Sequence, residues 1–141
     1  MIRELSALLF LGVSGISDVR RKSIPAYLPI LGVIIALIIE FYASDLKLKE
    51  LLISLTPGIG FLIISFATSE KLGLGDGLTI ISLGLLCGVW DTLTTLIYAS
   101  LSSGVVALFL IAFKKKNRNY AMPYLPFLLC GLVLTFLIKR T

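Results

Sequence analysis

The sequence predicts an all-α fold, a polytopic membrane bundle of about six transmembrane helices that forms a single domain over residues 1–141. The first observation is composition, because 57% of the 141 residues are hydrophobic and 15% are charged. Soluble domains carry about 45–50% apolar residues and about 25% charged residues. The second observation is that the apolar residues fall in long runs separated by short polar stretches. Long apolar runs are typical of spanning helices.

Six apolar segments follow one another along the chain, and each is a candidate spanning helix. They are Ile2–Ser17, Ile24–Tyr42, Leu51–Ala67, Gly77–Trp90, Thr92–Phe113 and Tyr120–Ile138. A spanning helix needs about 20 residues, with a range of about 17–25, and the second, third, fifth and sixth segments fit that range.

The first and fourth segments are short, which brings charged residues into the membrane region. The fourth has 14 uncharged residues between Asp76 and Asp91. These residues cover about 21 Å of a hydrocarbon core about 30 Å thick. Unless the bilayer thins there, one of these two aspartates is expected within the membrane. In the first segment, Asp18 is expected in the last turn of the span.

The Lys and Arg residues predict the orientation of the bundle. Eight of the thirteen lie in the loops between segments one and two, three and four, and five and six. The eight are Arg20, Arg21, Lys22, Lys71, Lys114, Lys115, Lys116 and Arg118. Because basic loops stay in the cytoplasm, this side is predicted to be cytoplasmic and both termini are predicted to lie outside. A cleaved signal peptide over residues 1–17 is the alternative, but the basic cluster follows the apolar run and no A-x-A site is present.

Several classes of chemistry are excluded by the residue types in the chain. There is no histidine, which excludes Ser-His hydrolases, Cys-His proteases and His-ligated metal sites. The two cysteines, Cys87 and Cys130, form no CxxC pair, so neither a zinc module nor a disulfide scaffold is expected. The net charge of +5 is interpreted as a topology signal rather than as nucleic-acid binding. A His-ligated metal site, a zinc module and a nucleic-acid partner are therefore not expected.

Two aspartates are the candidate catalytic residues. Asp18 closes the first segment and Asp76 opens the fourth, 58 residues later, so both are predicted at the cytoplasmic ends of spans. Carboxyls at a membrane edge are costly, and they raise a functional hypothesis. Two carboxyls that face each other cannot both ionise easily. One can then take a proton from a water while the other, protonated, polarises a scissile carbonyl. This is the arrangement that an aspartic protease needs.

Other interpretations of these residues stay open. Asp76, directly before an apolar run, is suited to cap a helix, and Asp18 before three basic residues fits ordinary loop polarity. The glycines around Asp76 permit positive φ and the close approach of another backbone. Gly84 and Gly88 form a small-xxx-small pair that indicates helix packing. The alternative functions are a small transporter or pore, whose carboxylates bind a cation or relay protons, and a non-catalytic assembly protein.

Three stretches resemble the type IV prepilin peptidase family. Gly73-Leu74-Gly75-Asp76 looks like the GxGD motif of intramembrane aspartyl proteases. Residues 17–25, with the sequence SDVRRKSIP, resemble the family's first-aspartate motif, and residues 122–128, with the sequence MPYLPFL, are similar to its Pro-x-x-Pro-Phe-Leu element. The chain departs from the family at Ala26, where Asn is frequent, and it lacks the CxxC-containing insert of the long members. It therefore resembles the short, peptidase-only form of tight-adherence pilus systems and archaea.

The resemblance implies a membrane-embedded aspartic endopeptidase without methyltransferase activity. It would cleave the leader peptide of type IV prepilins or pilin-like precursors at the cytoplasmic face of the cell membrane, and preflagellin processing is a close variant. The implied partners are the prepilin substrate and the lipid bilayer, with no metal and no cofactor. Asp18 and Asp76 are the implied catalytic pair. The implied substrate-binding or motif positions are Gly73, Gly75, Gly77, Ile24, Pro25 and Pro126.

Overall fold

A computed structural model describes residues 2–21, 27–43, 48–67, 74–114 and 123–141 of the chain. These ranges contain six α-helices and no strand, which confirms the prediction of an all-α fold. The helices are α1 (Ile2–Arg21), α2 (Tyr27–Ala43), α3 (Leu48–Ala67), α4 (Leu74–Cys87), α5 (Val89–Lys114) and α6 (Leu125–Arg140).

Two helix boundaries differ from the predicted segments in ways that matter for the candidate site. α1 continues through Asp18 to Arg21, and α4 begins at Leu74, three residues before the predicted start. Asp76 therefore lies inside the first turn of α4, and the interpretation of Asp76 as an N-cap that precedes the helix is wrong. Both candidate aspartates thus lie on helices, whose packing fixes their positions more firmly than a loop would.

A glycine separates α4 from α5. Gly88 has a φ of 86°, a left-handed conformation that glycine adopts without strain and that commonly ends a helix. Trp90, predicted at the end of the fourth segment, consequently belongs to α5. The predicted starts of the second and sixth segments, Ile24 and Tyr120, lie outside the described residues.

The lengths and surfaces of the helices indicate a membrane protein. By length and composition, Leu48–Ala67 of α3 and Val89–Phe113 of α5 are long and apolar enough to cross a membrane, while α2 and α4 provide shorter apolar helices. Large apolar side chains point outward from the bundle, as at Leu9, Ile63 and Leu108, which are 63%, 63% and 70% exposed. Soluble monomers rarely expose contiguous apolar surface of this extent, whereas a bilayer covers it.

α4 is the central helix of the bundle. It packs against α1, α2, α3 and α5, and nine of its ten residues between positions 77 and 86 are buried. Because other helices surround it, a helix of only 14 residues does not have to match the bilayer by itself. Its central position gives a physical reason for the short fourth apolar run.

Glycines allow α3 and α4 to pack closely. A side chain at Gly84 would overlap the backbone carbonyl of Ser54, and one at Gly58 would overlap Ile81. Gly84 therefore packs helices together, as the small-xxx-small spacing predicts. Gly88 has open space around it and instead serves the boundary between α4 and α5.

Two ion pairs lie at one end of the bundle. Arg3 Nη2 lies 3.0 Å from Glu40 Oε2 and joins α1 to α2, and Lys139 Nζ lies 2.7 Å from Asp91 Oδ2 and joins α6 to α5. Each pair connects the start of one helix to the end of its neighbour, so these neighbours run antiparallel. The candidate aspartates lie at the opposite end, because they occupy the last turn of α1 and the first turn of α4.

Candidate active site

Helical periodicity places Asp18 inside the bundle. Ala7, Leu11, Ser14 and Asp18 follow one another at spacings of four, three and four residues, and all four are buried. The Asp18 residue is only 6% exposed, although an aspartate is charged at neutral pH in water. The Ser14 hydroxyl, one turn before it, has no hydrogen-bond partner among the described residues. The inward face of α1 thus changes from apolar to polar as it approaches Asp18.

The N-terminus of α6 meets Asp18. The backbone N–H of Leu125 donates a hydrogen bond to Oδ2 of Asp18 over 3.4 Å, between residues 107 positions apart in sequence. The first N–H groups of a helix have no partner within the helix, so Asp18 satisfies one of them. The next residue is Pro126, which has no N–H to satisfy and suits the first turn of a helix. Pro126, predicted as a motif position, therefore helps to bring this helix end against α1.

Close packing of α1 on α6 makes this contact possible. A Cβ at Gly15 would lie 3.8 Å from the backbone nitrogen of Pro126, which is ordinary van der Waals contact. The absence of a longer side chain at this position therefore lets the two backbones approach each other one turn away from Asp18. The orientation of Asp18 depends on α6 as well as on its own helix.

The glycines next to Asp76 lie in a helix, and one of them packs against α3. Gly75 and Gly77 lie in the first turn of α4, and their φ angles are not positive, since Gly88 is the positive-φ glycine among the described residues. Gly77 is buried, and a side chain there would overlap Leu62 of α3. The positive φ that these glycines permit is therefore not used at Gly75 or Gly77, because the chain forms a helix there and Gly77 allows close packing of α3. Gly73 lies outside the described residues.

The two candidate carboxyls lie at the same end of the bundle. α1 packs against α4, and Asp18 lies in the last turn of α1 while Asp76 lies in the first turn of α4. Of the other predicted site positions, Ile24 and Pro25 lie outside the described residues. Two carboxyls that approach each other closely can divide the roles of proton donor and proton acceptor between them.

Tyr124 is a polar residue at the site that sequence reasoning missed. Its hydroxyl oxygen lies 3.3 Å from Oγ of Ser100, and its ring stacks on Phe61 with centroids 6.3 Å apart and planes at 19°. The Phe61 ring in turn lies 3.7 Å from the position that a Cβ at Gly77, the residue after Asp76, would occupy. The available signal was its position between the two prolines of the Pro-x-x-Pro-Phe-Leu element, but nothing in that spacing indicates where its hydroxyl points.

An apolar groove lies on the outer face of α1 and α6. Its volume is about 280 Å³, and it is lined by Gly12, Gly15, Ile16, Val19, Arg20, Pro126 and Leu129. A side chain added at Gly12 would meet nothing within 4 Å, so the glycine keeps the groove open rather than serving a helix contact. The groove is mostly apolar, and Arg20 is the charged residue in its lining.

Within the described ranges, no group of three or more His, Cys, Asp or Glu side chains is placed to hold a metal ion. The expectation that the chemistry needs neither metal nor cofactor stays a prediction. The arrangement of two carboxyls with nearby hydroxyl and N–H donors can carry out acid–base chemistry on a water.

Comparison with known proteins gives one finding. The model of the type IV leader peptidase family matches residues 5–108. The matched part includes Asp18 and Asp76 and ends within α5, before Tyr124 and Pro126. No curated protein and no solved structure matches the chain. The match covers more than half of the 141 residues, and the chain therefore belongs to the type IV leader peptidase family and is a protease.

Proposed function

We propose that this protein is an aspartic endopeptidase that removes the leader peptide of type IV prepilins or pilin-like precursors at the cytoplasmic face of the cell membrane. The observation that carries the proposal is the pair Asp18 and Asp76. The two carboxyls lie on packed helices at the same end of the bundle, and both lie in the part of the chain that matches the peptidase family.

The proposed reaction is hydrolysis by an activated water. One carboxyl of the pair is ionised and takes a proton from the water, whose oxygen attacks the scissile carbonyl carbon. The other carboxyl is protonated and donates to the carbonyl oxygen, which stabilises the charge that develops there. Collapse of the tetrahedral intermediate breaks the C–N bond, and the leaving amine takes a proton from a carboxyl. No covalent bond forms between the enzyme and the substrate.

The surroundings of Asp18 support a substrate with an apolar segment. The groove along α1 and α6 is lined almost entirely by apolar atoms, and its lining includes Val19 and Arg20, the two residues that follow Asp18. By family resemblance, a pilin-like precursor carries a hydrophobic helix directly after the cleavage site. We propose that this helix lies along the groove while the scissile bond reaches the carboxyls.

Substitution of each aspartate by asparagine tests the proposal. An amide keeps the shape of the side chain but cannot exchange protons, so Asp18→Asn and Asp76→Asn should each lower cleavage of a co-expressed prepilin by about 10²–10⁴-fold. Because both groups act on one water, the double variant should be little worse than either single variant. Asp91→Asn is the matched control, since Asp91 pairs with Lys139 at the opposite end of the bundle, and it should retain cleavage.

The outcomes separate the protease from the transporter alternative. Near-normal cleavage by a well-expressed Asp18→Asn or Asp76→Asn protein would end the assignment of an aspartic mechanism. If neither the wild type nor any variant cleaved the precursor, but both aspartates were needed for proton or cation flux into vesicles, the transporter hypothesis would replace it.

A further inference from the structure

We propose that Tyr124 is a substrate-binding residue whose hydroxyl donates a hydrogen bond to a backbone carbonyl of the peptide beside Asp76. This inference rests on the proposed function, since it concerns how the same site holds its substrate. It extends that function because Tyr124 lies in neither aspartate motif and follows the end of the family match at residue 108.

Contacts from three directions hold Tyr124 in one orientation. Phe61 of α3 stacks against the ring, and Ser100 of α5 contacts the hydroxyl at 3.3 Å. The backbone carbonyl of Tyr124 accepts N–H hydrogen bonds from Phe127 and Leu128 at 3.0 and 3.1 Å, which opens the first turn of α6. A side chain that is already ordered loses little conformational entropy when it binds a ligand, so its hydrogen bond contributes fully to affinity.

The position of Tyr124 joins the two halves of the site. It directly precedes Leu125, whose N–H contacts Asp18, and its ring stacks on Phe61, which lies 3.7 Å from where a Cβ at Gly77, the residue after Asp76, would be. α6 thus presents two groups toward the carboxyls, a backbone N–H on Asp18 and a phenol near Asp76. Tyr124 is only half-buried, so it is not sealed inside the bundle.

The hydrogen-bonding capacity of the phenol fits a role as a donor to substrate. A phenol has one donor hydrogen and an oxygen that accepts. When the Ser100 hydroxyl donates to the Tyr124 oxygen, the hydrogen of Tyr124 is available for another acceptor. An extended peptide in the site exposes backbone carbonyls that lose water when they bind against the protein, and each carbonyl left without a donor costs free energy. The chemistry that Tyr124 recognises is therefore the carbonyl of an extended peptide strand.

The experiment is a double-mutant cycle on Tyr124 and Ser100, with cleavage of a purified prepilin in detergent as the assay. Tyr124→Phe keeps the ring on Phe61 and removes the hydroxyl, and kcat/KM should fall roughly fivefold to tenfold, the size of one lost hydrogen bond. Ser100→Ala frees the phenol without removing it, and the fall should be about twofold to fivefold. Because Ser100 acts through Tyr124, kcat/KM of the double variant should equal that of Tyr124→Phe, and it should not fall by the product of the two single effects.

Two matched controls carry the same chemical changes elsewhere. Tyr42→Phe alters a tyrosine that is 84% exposed at the far end of α2. Ser103→Ala alters a serine on α5 whose hydroxyl donates to the Ser100 carbonyl of its own helix. Both controls should leave kcat/KM unchanged, and all variants should unfold at the same denaturant concentration as the wild type.

The proposal is overturned if Tyr124→Phe cleaves like the wild type, or if the effects of the two substitutions multiply. It is equally overturned if the variants that lose cleavage also lose stability to the same degree. In that case the Tyr124–Ser100 contact only stabilises the packing of α6 on α5. Asp76→Asn, measured in parallel, separates this result from the proposed function. Normal cleavage by Asp76→Asn contradicts the aspartic mechanism, whereas an inactive Asp76→Asn with an unaffected Tyr124→Phe contradicts only the role of Tyr124.

Discussion

Asp18 has a structural contact as well as a proposed catalytic role, and comparison of Asp18→Ala with Asp18→Asn separates the two. Both substitutions remove the carboxylate charge, so the free energy of burying that charge cancels in the comparison. Asparagine keeps a carbonyl oxygen that can accept the Leu125 N–H, whereas alanine leaves that N–H without its acceptor. Both variants should be inactive, and they should differ in stability.

The size of the stability difference follows from the burial of the contact. Leu125 is 0% exposed and Asp18 is 6% exposed, so water cannot replace the lost acceptor. An unsatisfied buried donor costs about 1–3 kcal/mol. At 3.4 Å the Leu125–Asp18 hydrogen bond is longer than the usual N–H···O distance, which favours the lower part of that range. We expect Asp18→Ala to be less stable than Asp18→Asn by about 1–2 kcal/mol, or roughly 5- to 30-fold in the unfolding equilibrium constant.

Reversible unfolding in detergent, followed by circular dichroism, measures this difference. Asp91→Ala and Asp91→Asn form the matched control pair, because Asp91 also accepts a hydrogen bond, from Lys139, but the Lys139 side chain is 56% exposed. An exposed pair is worth about 0–1 kcal/mol, so the two Asp91 variants should unfold almost together. Equal stability of Asp18→Ala and Asp18→Asn would refute the argument that Asp18 anchors the N-terminus of α6.

The remaining predictions concern helix packing and topology. Gly84→Ala should destabilise the bundle by about 1–3 kcal/mol, because the new Cβ would overlap the Ser54 carbonyl, whereas Gly12→Ala, with open space around it, should not; superimposable unfolding curves would contradict this. In a variant without native cysteines, Lys71→Cys should react with a membrane-impermeant maleimide only after the cells are opened, since Lys71 lies on the predicted cytoplasmic side. Labelling of intact cells from outside would refute the predicted orientation.

The glycines near Asp76 show how packing changes the meaning of a motif. Three glycines in five residues are compatible with a turn, a loop or a helix, because glycine has little local preference. The structure continues α4 through Gly75 and Gly77, and Leu62 of α3 occupies the space where a side chain at Gly77 would lie. The packing role of Gly77 depends on a residue of another helix, so the local sequence around Asp76 does not predict it.

The properties that depend on composition and on residue spacing within one helix are predictable from the chain alone. Long apolar runs give the six helices, and the periodicity from Ala7 through Leu11 and Ser14 places Asp18 on the buried face of α1. Carboxyls at the ends of apolar runs are costly in a membrane, so their positions in the sequence are enough to single out Asp18 and Asp76 as candidates.

The contacts that arrange the site depend on which helices meet. The Leu125 N–H reaches Asp18 across 107 positions of sequence, and Tyr124 meets Ser100 of α5 and Phe61 of α3. A helical period fixes the face on which a side chain lies, because neighbouring turns repeat every 3.6 residues. It carries no information about the neighbour that this face meets, because that neighbour is selected by the shape and burial of the whole bundle.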